Sequence, residues 1–239
     1  MFYSTDRLGP VTVAFTDRHG GVSAPPYDSL NLGRAVGDNP SAVDHNLQLV
    51  AGELGVDASH IVLMNQVHGA NVAVIDRPTD PQLRTDAMVS ASRQVALCVR
   101  AADCVPVLLA DPAAPVIGCA HAGRLGMAAG VVPNAVEKMH ALGATSITAW
   151  LGPHVCGSCY EVPATVRAEV VDVVPESFAE TSWGTPALDI GAGVRAQLIE
   201  AGCTVVDRTR CTLEDVNLFS YRRDGRASGR LGGLIRLAA

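Results

Sequence analysis

Three side chains far apart in a chain of 239 residues have types that suit a shared ion or a shared reaction: His68, Cys104 and His121. His68 ends an apolar run at residues 62–67 and precedes Gly69; Cys104 follows residues 99–103; His121 ends the run 116–120 and precedes Ala122-Gly123. Each position reads as a place where a strand gives way to a loop, and strand ends project side chains into crevices held by a rigid sheet. Two imidazoles and a thiolate suit a zinc ion with its fourth position open, as a catalytic site requires. Such an ion would lower the pKa of a bound water and polarise a substrate atom. A second reading drops the metal and makes Cys104 a nucleophile activated by His121 or His68. A third leaves all three as unrelated core or loop residues, since their spacing matches no short metal signature. A trinuclear copper cluster needs His-X-His pairs, and the seven histidines contain none. Nothing near Cys104 supplies the shared loop and axial methionine of a blue-copper site.

Other motifs carry weaker signals. Cys156-Gly157-Ser158-Cys159 is a Cys-X-X-Cys without a thioredoxin-like context or a second pair, and reads as a loop with incidental thiols. Gly20-Gly21-Val22-Ser23 and the stretch Asn31 to Asp38 are glycine-rich, yet neither links a strand to a helix as a phosphate loop does; both can line a pocket by backbone. Arg124, just ahead of an expected helix, offers a fork of donors for phosphate or carboxylate. Ser220-Tyr221-Arg222-Arg223-Asp224 is a polar cluster that reads as a structural knit through arginine–carboxylate pairs.

The elements that must position these groups follow from hydrophobic periodicity. Brief apolar runs bounded by Gly, Pro, Asp or Asn predict strands at 11–15, 61–67, 72–75, 87–90, 95–99, 105–110, 116–120, 147–151, 204–206 and 233–237. Helices are expected from Pro40 to the stop at Gly55, over 127–142, over 163–174 and over 190–201. Hairpin-like strand pairs mixed with isolated helices imply an α+β or mixed α/β sandwich, read as one domain over 1–239. A hydrophobic share of 48% against 18% charged residues demands a packed core and excludes a disordered chain. The formal charge of −6 and 18 scattered basic residues, only Lys138 among them a lysine, leave no footprint for nucleic acid. The beginning of the chain lacks a basic and then apolar leader, and no apolar run reaches membrane-spanning length, so a cytoplasmic protein is expected. Seven cysteines, an odd number, point to reduced thiols, with Cys98 and Cys119 as small core residues.

Taken together, Asn65-Gln66-Val67-His68-Gly69, Thr85-Asp86-Ala87, Ala102-Asp103-Cys104-Val105-Pro106, His121-Ala122-Gly123, Leu151-Gly152-Pro153, Cys159-Tyr160-Glu161-Val162, Cys211-Thr212 and Phe219-Ser220-Tyr221-Arg222-Arg223-Asp224 resemble, in order, the motifs of the YfiH-like family. That family has also been labelled laccase-domain, polyphenol oxidase and peptidoglycan editing factor. The resemblance implies an α/β/β/α sandwich of the cytotoxic-necrotizing-factor/YfiH-like cysteine hydrolase type. It implies a metal, usually zinc with copper as an option, held by His68, Cys104 and His121. The implied activities are purine nucleoside phosphorolysis, methylthioadenosine phosphorolysis and adenosine deamination. A peptidoglycan-editing amide hydrolase using Cys104 with His121 or His68 is the alternative, and a copper-dependent polyphenol oxidase the less favoured one. The chain departs from the family pattern where His-Ala-Gly-Trp-Arg-Gly is replaced by His121-Ala122-Gly123-Arg124-Leu125-Gly126, which removes an aromatic face.

On this reading the substrates are a purine nucleoside and phosphate, with no nucleic-acid or membrane partner, and the chain is a monomer or weak homo-oligomer. Phosphate is expected on Arg124 and Arg34, with Asn31 and Asp86 also beside the substrate. In deamination Asp103 or Asp86 would shuttle a proton to the leaving amine.

Overall fold

The computed structural model describes residues 1–78 and 83–238. In chain order it contains β1 (Phe2–Leu8), β2 (Val11–Thr16), α1 (Pro40–Leu54), β3 (Ile61–Leu63), β4 (Val72–Val74), β5 (Ala87–Ser90), β6 (Ala96–Ala101), β7 (Val105–Asp111), β8 (Val116–Ala122), α2 (Arg124–Ala128) and α3 (Val131–Ala141). There follow β9 (Thr148–Leu151), α4 (Ala164–Val173), β10 (Phe178–Glu180), β11 (Pro186–Leu188), α5 (Ile190–Glu200), β12 (Thr204–Asp207), α6 (Tyr221–Asp224) and β13 (Leu231–Leu237). Two mixed sheets form the centre, in the orders β1-β2-β13-β6-β3 and β12-β9-β7-β8-β5-β4, and β10-β11 is a separate two-stranded ribbon.

Period-two alternation along the strands builds the layers. On β2, Val11, Val13 and Phe15 meet Leu108 and Ala110 of β7, Ile117 and Cys119 of β8 and Trp150 of β9 in a core between the sheets. The intervening Ala14 of β2 faces Leu47, Val50 and Leu54 of α1. On the far side, Val105, Val107 and Leu109 of β7 pack against Met127, Val131, Val132 and Val136 from α2 and α3 and against Val194 and Leu198 of α5. The result is the expected α/β/β/α sandwich. Strands β7 and β8 are covered on both faces, which is why they read as nearly unbroken apolar runs.

Helix α1 forms where its signals predict. The Asn39 side chain accepts a hydrogen bond from the Ser41 amide, Pro40 stands in the first turn, and Gly55 ends the helix at φ +76°. Its buried face carries Val43, Leu47, Val50 and Leu54, each contributing roughly 1.5–3 kcal/mol by leaving water.

Three expectations needed revision. The run 61–67 is a strand only over Ile61–Leu63, because the following residues turn around a buried carboxylate described below. The single helix expected over 127–142 is two, broken at Gly130 whose φ of +82° no helix can pass through. Strand β1 escaped the hydrophobic criterion because it is an edge strand with Ser4, Asp6 and Arg7 among its residues. Among the described residues, no helix is long and apolar enough to cross a membrane.

Candidate active site

The β7–β8 ladder places two of the three reactive side chains at one end of the sandwich. Pro106 is paired with His121 and Val105 with Ala122. His121 shares the parity of Ile117 and Cys119, and Cys104 that of Leu108, so both side chains lie on the face turned toward the second sheet. His68 enters from the loop after β3. Its Nε2 lies 4.0 Å from Cys104 Sγ. The His68 and His121 rings stand edge to face with centroids 4.8 Å apart. One donor atom from each of His68, Cys104 and His121 lies within 4.8 Å of the others.

Asp86 holds this arrangement from behind. Its carboxylate accepts the backbone N–H groups of Val67, His68 and Gly69 at 3.1, 2.9 and 2.7 Å, and His121 Nδ1 donates to it at 2.9 Å. Successive amides converging on an anion form a concave nest, and here the nest holds His68 at φ +59°, a conformation uncommon outside glycine. With Nδ1 committed to the carboxylate, His121 has its Nε2 left for an ion or a substrate, the orientation seen behind metal-bound histidines. Gly123 supplies the room: a Cβ there would lie 2.9 Å from Cys104 Sγ and 3.0 Å from His68 Cδ2.

Charge within the cluster is tightly linked. Burial raises the Asp86 pKa, but the bonds from His121 and the Gly69 amide outweigh it and hold the carboxyl below its ordinary range. Burial likewise pushes the Cys104 thiol up, and the charge and hydrogen bond of His121, aided by His68, bring it down to about 6. Burial pushes His121 down, and Cys104 and Asp86 raise it to about 9. The stable form without an ion is therefore a thiolate beside an imidazolium. Two imidazoles and one thiolate fit a single borderline metal ion. They do not fit a multi-copper centre: neither of the two candidate ligand groups among the described residues holds more than two imidazoles.

The cluster opens into a cavity of about 750 Å³, whose wall includes Arg100, Arg124, Arg222 and Arg230 together with Tyr160 and Tyr221. Among the described residues none of these four guanidiniums is in a salt bridge with a carboxylate. Arg100 is tied to the carbonyls of Leu32 and Met64, Arg222 to that of Glu161, and Arg230 to those of Ser228 and Gly229. Carbonyls orient these groups without neutralising them. Burial lowers the pKa of both Arg100 and Arg230, and for Arg230 the Cys104 and Asp103 charges offset only part of it. Arg222 also lies 4.8 Å over the Tyr160 ring. Burial raises the Tyr160 phenol above its ordinary range, keeping it an O–H donor.

The sequence-predicted residues separate into three groups. His68, Cys104 and His121 are brought together, and Arg124 lines the same cavity. Asp103 is beside them at φ +89°, but its carboxylate accepts the Thr212 and Ser220 hydroxyls at 2.6 and 2.7 Å and the Arg222 amide at 2.6 Å. It is thus a tie beneath the pocket, not a free proton carrier. Asn31, Arg34 and Asp86 are placed away from the cavity wall. Asn31 is fully buried and bonds to Gly33, Asp38 and Arg230. Arg34 turns outward to Asp44 at 2.7 Å. Asp86 is fully buried behind the histidines and bonded to His121 and the 67–69 amides.

The glycine-rich stretch does line the pocket through Gly33, Ala35 and Val36. The Ser220–Asp224 cluster does knit the structure, through Ser220 on Asp103 and Arg223 on Asp224, while Tyr221 and Arg222 also face the cavity. Sequence reasoning missed Arg100 and Arg230, one next to the last residue of β6 and the other just before β13. The one signal for Arg100 is a charge inside an apolar strand run, and Arg230 directly abuts such a run. The aromatic face missing beside Gly123 is supplied by Tyr160 and Tyr221, while Leu125 lines the cavity from α2.

Residues 12–238 match the family described as multi-copper polyphenol oxidoreductase laccase. The chain is similar to a purine nucleoside phosphorylase of Streptomyces coelicolor, 56% identical over 244 residues that cover 99% of this chain and 100% of that protein. It is similar to the Escherichia coli purine nucleoside phosphorylase YfiH, at 37% identity over 95% of this chain and 94% of the other. Its fold matches the crystal structure of the Bacillus licheniformis hypothetical protein YfiH with a TM-score of 0.88 at 29% identity, covering 95% of this chain and 92% of that one. Motif order, sandwich and comparisons agree, and the chain belongs to the YfiH family of laccase-like domains.

Proposed function

We propose that the protein is a purine nucleoside phosphorylase whose metal, zinc, is held by His68, Cys104 and His121. The observation that carries this reading is the set of four guanidiniums without carboxylate partners around the cluster. Such a surplus of positive charge in a cavity suits an oxyanion substrate. The relatives named purine nucleoside phosphorylase support the choice of phosphate and nucleoside.

In phosphorolysis a phosphate oxygen forms a bond to C1′ of the ribose while the C1′–N9 bond breaks and its electron pair leaves with the base. Arg100, Arg124, Arg222 and Arg230 draw the phosphate into the cavity and neutralise it. They bear on the charge that remains there as the ribose turns cationic. Tyr160 and Tyr221 give the purine its aromatic surface. Tyr160, held protonated, donates a hydrogen bond to the departing base. The ion supplies Lewis-acid polarisation when bound. Asp86 fixes His121, and Asp103 fixes the loops carrying Thr212, Ser220 and Arg222, so the groups are in place before substrate arrives. The same cavity would take methylthioadenosine; adenosine deamination would require the base to turn its C6 toward a water, which adds at C6 as the amino group leaves as ammonia.

Incubating the protein with inosine or adenosine, with and without phosphate, and separating the products tests this. Free base and ribose 1-phosphate should form only with phosphate, and Cys104→Ala should lose both. Base release indifferent to phosphate, or full turnover by Cys104→Ala, refutes it. Ammonia release from adenosine reads the deaminase activity separately.

The alignment of Cys104, His121 and Asp86 favours a second reading, an amide hydrolase acting on a peptidoglycan fragment with the Cys104 thiolate as nucleophile. A covalent acyl adduct on Cys104 after incubation with muropeptide would establish it; its absence removes it.

A further inference from the structure

The Cys-X-X-Cys that sequence alone leaves as incidental gains partners in the fold. Cys156 and Cys159 lie in the loop between β9 and α4, where the Cys159 and Tyr160 amides both donate to the Cys156 carbonyl at 3.0 Å. Cys211 arrives from the loop between β12 and α6, aligned by a parallel bridge of His154 with Cys211. The Cys156 amide donates to Cys211 Sγ at 3.5 Å. Glu214, one turn further on, completes a set in which one ligand atom from each of the four residues lies within 4.8 Å of the others. All three thiols are free.

We propose that Cys156, Cys159, Cys211 and Glu214 form a second metal site, a closed structural one for zinc. Three thiolates and a carboxylate make a complete tetrahedral set, with a Cys-X-X-Cys of the spacing that zinc sites use. Zinc–sulfur bonds of about 2.3 Å put tetrahedral sulfurs ~3.8 Å apart, so the existing cluster needs only a small contraction. None of the four residues lines the active-site cavity, and four ligands would fill a tetrahedral shell with Glu214 on the solvent side.

The location gives the ion a purpose. The two loops it joins share no strand pairing beyond the one bridge, yet both deliver active-site parts. One carries Tyr160 and the Val155 amide, which donates to the Asp103 carbonyl at 3.0 Å. The other carries Thr212, whose hydroxyl donates to the Asp103 carboxylate. An ion between them would add metal–ligand bonds to the His154–Arg210 and Thr212–His154 backbone hydrogen bonds that join the two loops.

The test is metal content per chain, measured on full-length protein purified under reducing conditions with zinc present. The Cys156→Ser/Cys211→Ser double variant should hold one ion fewer than wild type. His68→Ala/His121→Ala should keep that ion and, after cobalt exchange, show the thiolate-to-cobalt charge-transfer and strong d–d bands of a sulfur-rich tetrahedral site. If the cysteine variant fails to fold, zinc chloride added to metal-free wild type should protect Cys156, Cys159 and Cys211 from alkylation as read by peptide mass spectrometry. Equal metal in wild type and the cysteine variant overturns the proposal. So does unprotected alkylation of the three thiols, or a disulfide among them in protein kept reduced.

Discussion

Two sulfur-containing clusters lie close to Asp103 in the chain or through its hydrogen bonds, and they gather different ligand types. The first pairs one thiol with two imidazoles, keeps a glycine where any Cβ would crowd it, and opens into a cationic cavity. The second gathers three thiols and a carboxylate and has no part in that cavity. Mixed nitrogen and sulfur ligands with an open position permit exchange of substrate; an all-anionic closed set resists it. The lesson lies in what surrounds each cluster. His121 has Asp86 behind it and four guanidiniums in front, so its neighbourhood is organised around charge that comes and goes. The Cys156 cluster is framed by backbone hydrogen bonds that join two loops.

Substitutions can break the contrast. Cys104→Ala should have the largest effect, a loss of turnover beyond the roughly 100-fold typical of an outer-shell change, with loss of one ion and little change in Tm. Replacing Arg100 or Arg230 by Met should raise the phosphate KM by about 10- to 150-fold, the equivalent of one charge-assisted hydrogen bond at roughly 1.5–3 kcal/mol, with a smaller change in kcat. An unchanged phosphate dependence would detach the cationic wall from catalysis. Asp86→Asn should cost about 10- to 100-fold in metal affinity or activity, because an uncharged amide with one accepting oxygen and an NH2 donor cannot serve the three backbone amides and also fix the His121 tautomer. Titrating the ion into this variant checks it.

Proton chemistry sharpens the same comparison. In metal-free protein the Cys104 thiol, lowered to about 6, should alkylate at a rate that falls about tenfold per unit as pH drops below 6 and is level by pH 7. Burial pushes Cys156 up, and its thiol's hydrogen bond to Cys211 pushes the same way, so its alkylation should still be rising at that pH. Two parallel curves would erase the distinction. The smallest effect is expected for Glu214→Gln, which leaves three thiolates in place and should weaken zinc at the second cluster while phosphate-dependent turnover stays near wild type.

Local patterns in the sequence account for much of the architecture. Residues 105–110 and 116–120 read as strands because both faces are buried and the runs are apolar throughout. Helix α1 was legible from Pro40 and Gly55, while its Asn39 cap emerged only in the fold. The ends of these elements placed Cys104 and His121 at the same end of two paired central strands. His68 was legible by type and motif but not by the strand assigned to it, since its position comes from amides gathered on Asp86, a residue 18 positions further along. Arg34 and Asn31 were drawn to the site by chemical type alone. Nearby Asp44 and Asp38 satisfy them first, and short-range partners of that kind leave no periodic trace.

What the amino-acid order determined by itself is therefore everything with a short period or a local cap: the alternation that sorts residues to the two faces of each strand, the helix stops, and the supply of a thiol and imidazoles at strand ends. Tertiary structure alone decided which charges meet. Arg100 and Arg230 converge because β6 and β13 are paired antiparallel, bringing Arg100 opposite Gly232. Cys211 reaches Cys156 because two loops close over Asp103. The physical reason is range: backbone sterics and hydrophobic periodicity act over a few residues, whereas electrostatic surroundings and ligand sets depend on distances in space that only the packing of both sheets establishes.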